Sequence, residues 1–148
     1  MIKNKNLRIT GIVVAIVILI FWFSSKSGET SMKQSDTLLL KMRVVTLEEV
    51  THKTPSYRHK TYIIRKVAHF LIYMSLGGCL SLGRKKNPIK VVIIIGSLAL
   101  LDEFNQSFRG RDASLSDVIL DVAGGFTGWA IVESVRYFFK NNKKEGES

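Results

Sequence analysis

The sequence has few of the residues and motifs that would point to a soluble enzyme. Cys79 is the only cysteine among 148 residues, which excludes a disulfide within one chain. It lies in an apolar stretch, where a small buried residue is expected. No G-x-S-x-G motif is present. Cys79 lies about ten residues after His69, the nearest histidine in the same segment. The sequence therefore does not indicate a serine or cysteine nucleophile.

Acidic residues are also scarce relative to basic ones. The chain has 12 Asp and Glu against 22 Lys and Arg, which gives a net charge of +10. In a soluble protein this excess would favour nucleic acid as a partner. Here the hydrophobic residues, 46% of the chain, form blocks, and the lysines lie beside those blocks. This pattern indicates a membrane surface, and membrane lipids rather than nucleic acid are the expected partners.

Long apolar segments define the expected fold, because about 20 apolar residues cross a membrane as a helix. Four such segments are found at 7–23, 62–82, 88–101 and 115–135. The third is short and must continue through DEFNQSF to complete a span. The first ends in FSSKSGE, which offers no A-x-A-like cleavage site, so we expect an uncleaved helix. The sequence predicts an all-α integral membrane bundle of about four transmembrane helices.

Basic clusters set the expected orientation in a cell membrane. They lie before the first segment, within 83–90, and after the fourth segment, on one side of a four-span chain. The positive-inside rule makes that side cytoplasmic, together with both termini. The expected organisation is an N-terminal transmembrane helix (1–23), an extracytoplasmic loop (24–61), a transmembrane core (62–135) and a cytoplasmic basic tail (136–148).

Ionisable residues inside three of these segments fall at a similar depth. With a rise of 1.5 Å per residue, His69 lies about 10 Å from the outer edge, and Asp102 and Asp121 about 9 Å. On helical wheels the polar residues of each segment share a face, and Gly124 and Gly128 continue the Asp121 face as a small-xxx-small pair. We expect a polar cluster near the outer leaflet, with cations of the second segment facing carboxylates of the third and fourth.

Several stretches of the sequence are similar to one membrane protein family. RKVAHFLIYMSLGG, LLDEFNQSFRGRDASLSD, DVAGGFTGWA and FWFSSKSG resemble the VanZ-like proteins, over about 21–129. The resemblance implies a small multi-helix membrane protein linked to susceptibility to teicoplanin-type glycopeptides. By motif position it singles out Lys66, His69, Tyr73, Asp102, Glu103, Gln106, Arg111, Asp117 and Asp121.

Two functions are compatible with these residues. In the first, an envelope protein lowers glycopeptide susceptibility by binding an anionic lipid or cell-wall precursor head group. Its candidate ligand-binding residues are Arg65, Lys66, Tyr73, Gln106, Arg111 and Asp117. In the second, an intramembrane enzyme acts on a membrane lipid. Its candidate catalytic residues are His69 as acid/base, with Asp102, Glu103 and Asp121 as partners.

Other interpretations of these residues stay open. A metal-dependent enzyme would use His69 and the carboxylates, a set suited to Mg²⁺ or Mn²⁺ more than Zn²⁺, but the sequence assigns no cofactor. The pair Asp102 and Glu103 could instead cap the third helix, and Asp117 could complement the start of the fourth. Transport is disfavoured, because four spans are few without a homo-oligomer and no broken-helix pair occurs. The oligomeric state is left open.

Overall fold

The computed structural model describes residues 2–26, 28–83, 87–108 and 114–145. Over these residues the chain is all-helical, as predicted, with no strand. The helices in chain order are α1 (Ile2–Ser24), α2 (Gly28–Lys41), α3 (Leu47–His52), α4 (Pro55–Gly83), α5 (Pro88–Ser107) and α6 (Leu115–Glu145).

Within the described part of the chain, three helices are long and apolar enough to cross a membrane. These stretches are Asn6–Ser24, Pro55–Gly83 and Leu115–Asn142. Large apolar side chains such as Ile18, Trp22 and Phe104 are exposed on the outside of the bundle. A surface of this kind is typical of a protein that faces lipid. The fourth predicted span corresponds to α5, which has 20 residues but carries three charged ones, and it stays a prediction.

Close packing of α4 against α6 forms the centre of the bundle. A Cβ atom added at Gly124 would collide with the backbone of Phe70, and one at Gly128 would collide with the backbone of Met74. The predicted role of this glycine pair in close helix approach is therefore confirmed. Around this contact, Tyr73, Leu76, Val91, Ile95 and Ala99 form a core of fully buried residues with α5.

The segment between α1 and α4, which the sequence analysis expected to be a loop, contains the two helices α2 and α3. Helix α2 is held on the first turns of α4 by a small core of Leu39, Val45 and Tyr57. The Tyr57 hydroxyl also donates to Asp36 Oδ1 at 2.5 Å. These contacts are tertiary, which is why the local hydrophobic pattern gave little sign of them.

Helix α3 is short and is stabilised by a capping box at its N-terminus and by an ion pair with α4. Thr46 Oγ1 accepts from the Glu49 N–H at 3.2 Å, and Glu49 Oε2 accepts from the Thr46 N–H at 3.0 Å, forming a capping box. Lys60 Nζ lies 3.0 Å from Glu49 Oε1. The Thr46 amide and the Lys60 ammonium hold the pKa of the Glu49 carboxyl below its usual range. Helix α3 is thereby tied to α4.

Two helices extend beyond the predicted segments. Helix α4 begins at Pro55 rather than near 62, because proline is well suited to the first helical position. Helix α6 continues through the predicted tail as far as Glu145. The segment 136–145 contains no glycine or proline that would end the helix.

Candidate functional site

The packing of α4, α5 and α6 brings one histidine and two aspartates together. His69 of α4, Asp102 of α5 and Asp121 of α6 each offer a ligand atom, and these atoms lie within 4.8 Å of one another. The contact of Gly124 with Phe70 explains the approach, because His69 precedes Phe70 and Asp121 lies one turn before Gly124. The structure therefore shows the convergence that the depth argument predicted. We call these three residues the His–Asp–Asp cluster.

The cluster has polar atoms without hydrogen-bond partners among the described residues. His69 Nδ1 lies 3.6 Å from Asp121 Oδ1, which is too long for a hydrogen bond. His69 Nδ1, both Asp121 carboxylate oxygens and Asp102 Oδ1 are buried without a partner. Asp121 is fully buried and Asp102 is 1% exposed. Buried charges are costly unless they are paired, so the cluster has capacity to bind a further group.

Asp102 is oriented by neighbours on α1 and α5. Gln106 Nε2 donates to Asp102 Oδ2 at 2.8 Å. The Ser24 hydroxyl donates to the Asp102 backbone carbonyl at 3.3 Å, and Asn105 Nδ2 donates to Ser24 Oγ at 3.3 Å. The Gln106 bond engages Asp102 Oδ2 and leaves Oδ1 for the cluster, while the Ser24 bond holds the Asp102 backbone. Gln106, predicted to bind a ligand, donates this bond to Asp102, and its ligand-binding role stays a prediction.

The other predicted carboxylates lie outside the His–Asp–Asp cluster. Asp117 forms an ion pair with Lys66, and both side chains are about a quarter exposed. Lys66 Nζ also lies 5.1 Å from the centre of the Tyr62 ring. Glu103 Oε2 accepts from the Ser114 N–H at 3.0 Å and so joins the end of α5 to the residue before α6. The predicted facing of a cation and a carboxylate is present for Lys66 with Asp117, and the His69 imidazole faces Asp121.

A cavity of about 330 Å³ lies beside the cluster, between α1, α2, α4 and α5. Its walls are mostly apolar, and the apolar lining residues are Ile20, Phe23, Leu38, Ile64, Ala68 and Ile72. Arg65, His69, Tyr73 and Asp102 are among its polar lining residues. The cavity thus combines apolar walls with one end that carries charge.

Arg65 and Tyr73 line the cavity outside the His–Asp–Asp cluster, and neither forms a hydrogen bond or ion pair in the described part of the chain. Arg65 is half-buried and lines the cavity without an ion pair to any carboxylate there, so the expected pairing of Arg65 is not seen. Tyr73 is fully buried, and its hydroxyl has no hydrogen-bond partner there. Arg111, also predicted to bind a ligand, lies outside the described residues.

Two groups of polar residues were missed from the sequence. Ser24 lines the cavity and contacts Asp102, and its place in the motif FWFSSKSG was the available signal. At the opposite end of the α4–α6 contact, Glu133 Oε1 accepts from Ser81 Oγ at 2.6 Å and from Arg136 Nη1 at 2.8 Å. No sequence motif marked this second group, because it depends on residues 52 positions apart.

Taken together, these features define an all-helical membrane protein with a buried histidine–carboxylate cluster beside a partly apolar cavity. The family model described as VanZ/LLP1 matches residues 10–137, which include every element of the site. The chain belongs to the VanZ/LLP1 family, and the resemblance predicted from the sequence is confirmed. No curated protein and no solved structure matched the chain.

Proposed function

We propose that this VanZ/LLP1 protein binds an anionic amphiphile, such as a membrane lipid or a lipid-linked cell-wall precursor, and thereby lowers susceptibility to teicoplanin-type glycopeptides. The observation that carries the proposal is the cavity, which combines apolar walls with a half-buried arginine that has no partner among the described residues. An acyl segment suits the walls, and an anionic head group suits the arginine.

The apolar walls come from three helices that meet around the cavity. Phe23 of α1, Leu38 of α2 and Ile72 of α4 face the space. A volume of about 330 Å³ is at the lower end of the range for small-molecule sites, so it accepts part of an acyl chain rather than a whole lipid. The rest of the ligand would remain in the surrounding bilayer.

Arg65 is the group best suited to hold the head group. Its guanidinium carries a permanent charge and offers paired donors that match the oxygens of phosphate or carboxylate. Lys66, the neighbouring cation, is already paired with Asp117. The predicted ligand-binding role therefore rests mainly on Arg65, with the buried hydroxyl of the lining residue Tyr73 as a further donor that has no partner among the described residues.

The proposal includes a placement in the cell membrane. Helix α5, with 20 residues, is about 30 Å long at 1.5 Å per residue, enough for a fourth span. Four spans would place both termini in the cytoplasm, and the His–Asp–Asp cluster near the outer leaflet. The segment with α2 and α3 would then cover the cavity from the extracytoplasmic side.

The functional test uses two arginines of the same helix. Arg65→Gln removes the cation in the cavity, whereas Arg58→Gln removes an exposed cation near the start of α4. Each is expressed at matched membrane levels in a host that lacks the gene, and susceptibility to teicoplanin is measured. We expect protection with the wild type and Arg58→Gln, and its loss with Arg65→Gln. Full protection by Arg65→Gln would refute the proposed role of the cavity.

An intramembrane enzyme is the second candidate, favoured by the approach of His69 to Asp121. A carboxylate 3.6 Å from Nδ1 could orient an imidazole that acts as acid or base, and His69 and Asp102 both line the cavity. Purified protein would then convert a lipid in a membrane extract to a product seen by mass spectrometry. His69→Gln should slow this conversion about 100-fold. An unchanged lipid profile with the wild type would leave binding as the function.

A further inference from the structure

We propose that His69, Asp102 and Asp121 hold a divalent metal ion, of the Mn²⁺ or Mg²⁺ class, at the inner end of the cavity. This proposal goes beyond the binding of an amphiphile and depends on other observations. It rests on the spacing of the three side chains and on their buried atoms without partners.

The spacing of the ligand atoms suits a metal better than direct hydrogen bonds. The three ligand atoms lie within 4.8 Å of one another, yet His69 Nδ1 and Asp121 Oδ1, at 3.6 Å, are too far apart for a hydrogen bond. Ligands on opposite sides of an octahedral Mg²⁺ ion lie about 4.2 Å apart, twice the usual metal–oxygen distance of about 2.1 Å. Small rotations of the side chains would therefore bring all three into one coordination sphere.

The number of unpartnered atoms also favours a metal over a proton. His69 Nδ1, Asp102 Oδ1 and the two Asp121 oxygens are buried without hydrogen bonds among the described residues. One shared proton could link only two of these atoms, whereas one metal ion can accept ligands from all three side chains. Gln106 supports this arrangement, because its bond to Asp102 Oδ2 at 2.8 Å orients the Asp102 carboxylate, whose other oxygen would bind the metal.

The ligand types and their position indicate which ion and which role. Two carboxylates and one imidazole form a mainly oxygen set, which favours Mn²⁺ or Mg²⁺ over softer metals. His69 and Asp102 also line the cavity, so the open coordination positions would face a bound ligand. When His69 is neutral, the charges of Arg65, Asp102 and Asp121 add up to a net negative charge in this region. A bound divalent ion would make the net charge positive. An anionic head group would then meet a positive site.

Manganese binding tests the proposal directly and requires no lipid ligand. Purified protein in detergent is treated with EDTA, exchanged into metal-free buffer and titrated with Mn²⁺, and free Mn²⁺ is measured by electron paramagnetic resonance. We expect one saturable site per chain. Asp121→Asn and His69→Gln should each weaken binding at least about tenfold, since even the loss of an outer-shell partner often costs that much. Glu48→Gln, which removes an exposed carboxylate of α3, is the control and should bind like the wild type.

Thermal unfolding gives a second readout for the same variants. In metal-free buffer Asp121→Asn should melt at a higher temperature than the wild type, because it removes a buried charge without a hydrogen-bond partner. Added Mn²⁺ should raise the melting temperature of the wild type and of Glu48→Gln, and leave that of Asp121→Asn unchanged. Absence of saturable Mn²⁺ binding, or equal binding by Asp121→Asn, would overturn the proposal.

Failure of this test is distinct from failure of the proposed function. The manganese titration depends on the cluster alone, whereas the teicoplanin assay compares Arg65→Gln with Arg58→Gln. A protein that protects the host but binds no Mn²⁺ would retain the amphiphile proposal without the metal.

Discussion

The residues around Asp102 differ in how much their hydrogen bonds contribute to the stability of the site. Ser24 is 2% exposed and joins α1 to the Asp102 backbone, while its neighbour Ser25 is exposed. Gln106 bonds the Asp102 side chain itself. A buried hydrogen bond of this kind contributes about 1 kcal/mol to stability, and an exposed one contributes less.

The two adjacent serines allow a matched test of this contribution. Ser24→Ala should lower the free energy of unfolding by about 1 kcal/mol, because the bond to the Asp102 carbonyl is lost in a buried setting. Ser25→Ala removes the same atom from an exposed position and should have little effect. Chemical denaturation in detergent measures both, and equal stability of the two variants would contradict the assigned role of Ser24.

Sequence reasoning at the scale of residues was most successful where helix geometry decided the outcome. Depth along a helix placed His69, Asp102 and Asp121 at a similar level, and the structure brings them together. Depth along the helix could not predict that Arg65 would lack a carboxylate partner in the described part of the chain. That outcome depends on side-chain direction and on the position of α2, neither of which is encoded by spacing alone.

At the scale of helices, the α4–α6 contact depends on glycines at defined positions. A Cβ atom added at Gly77 would collide with the backbone of Gly125, whereas one at Gly78 would make ordinary contacts, the nearest at 3.6 Å. The two neighbouring glycines therefore face different surroundings on the same helix. The sequence had indicated only Gly124 and Gly128, because the partner glycines on α4 have no comparable four-residue spacing.

Alanine at each of these glycines tests the packing. Gly77→Ala should destabilise the protein by about 1–3 kcal/mol, the usual range for overpacking, since a backbone cannot move aside as a flexible side chain can. Gly78→Ala should be neutral or stabilising by up to about 1 kcal/mol, because alanine favours the helix. The melting temperature in detergent reports both. A larger loss at Gly78 than at Gly77 would show that the helices pack differently.

Helices α2 and α3 show why some elements could not be predicted. Their stability comes from contacts with α4, such as the buried Leu39 and the Tyr57–Asp36 bond, rather than from a strong apolar stripe. The capping box of Thr46 and Glu49 is a local signal for α3, although it is too short to predict a helix by itself. Predictions from apolar length therefore found the long helices and missed the short ones.

For the whole molecule, the distribution of basic residues predicts the topology. The test uses single cysteines in a Cys79→Ala background: Glu48→Cys in α3 and Asn87→Cys before α5, both exposed positions. A thiol reagent that cannot cross the membrane should label Glu48→Cys in intact cells. Asn87→Cys should react only after the cells are opened. Labelling of Asn87→Cys from outside would reverse the proposed orientation and place the cavity on the inner side.

The central claim is that the cavity binds an anionic amphiphile through Arg65, and native mass spectrometry of the purified protein tests it most directly. Wild type and Arg58→Gln should carry one anionic lipid or lipid-linked precursor through mild detergent. Arg65→Gln should lose it through the missing charge, and Ala68→Trp through a filled cavity. Val67→Trp, at the neighbouring position outside the cavity lining, should retain it. Equal lipid occupancy in the wild type, Arg65→Gln and Ala68→Trp would contradict the account.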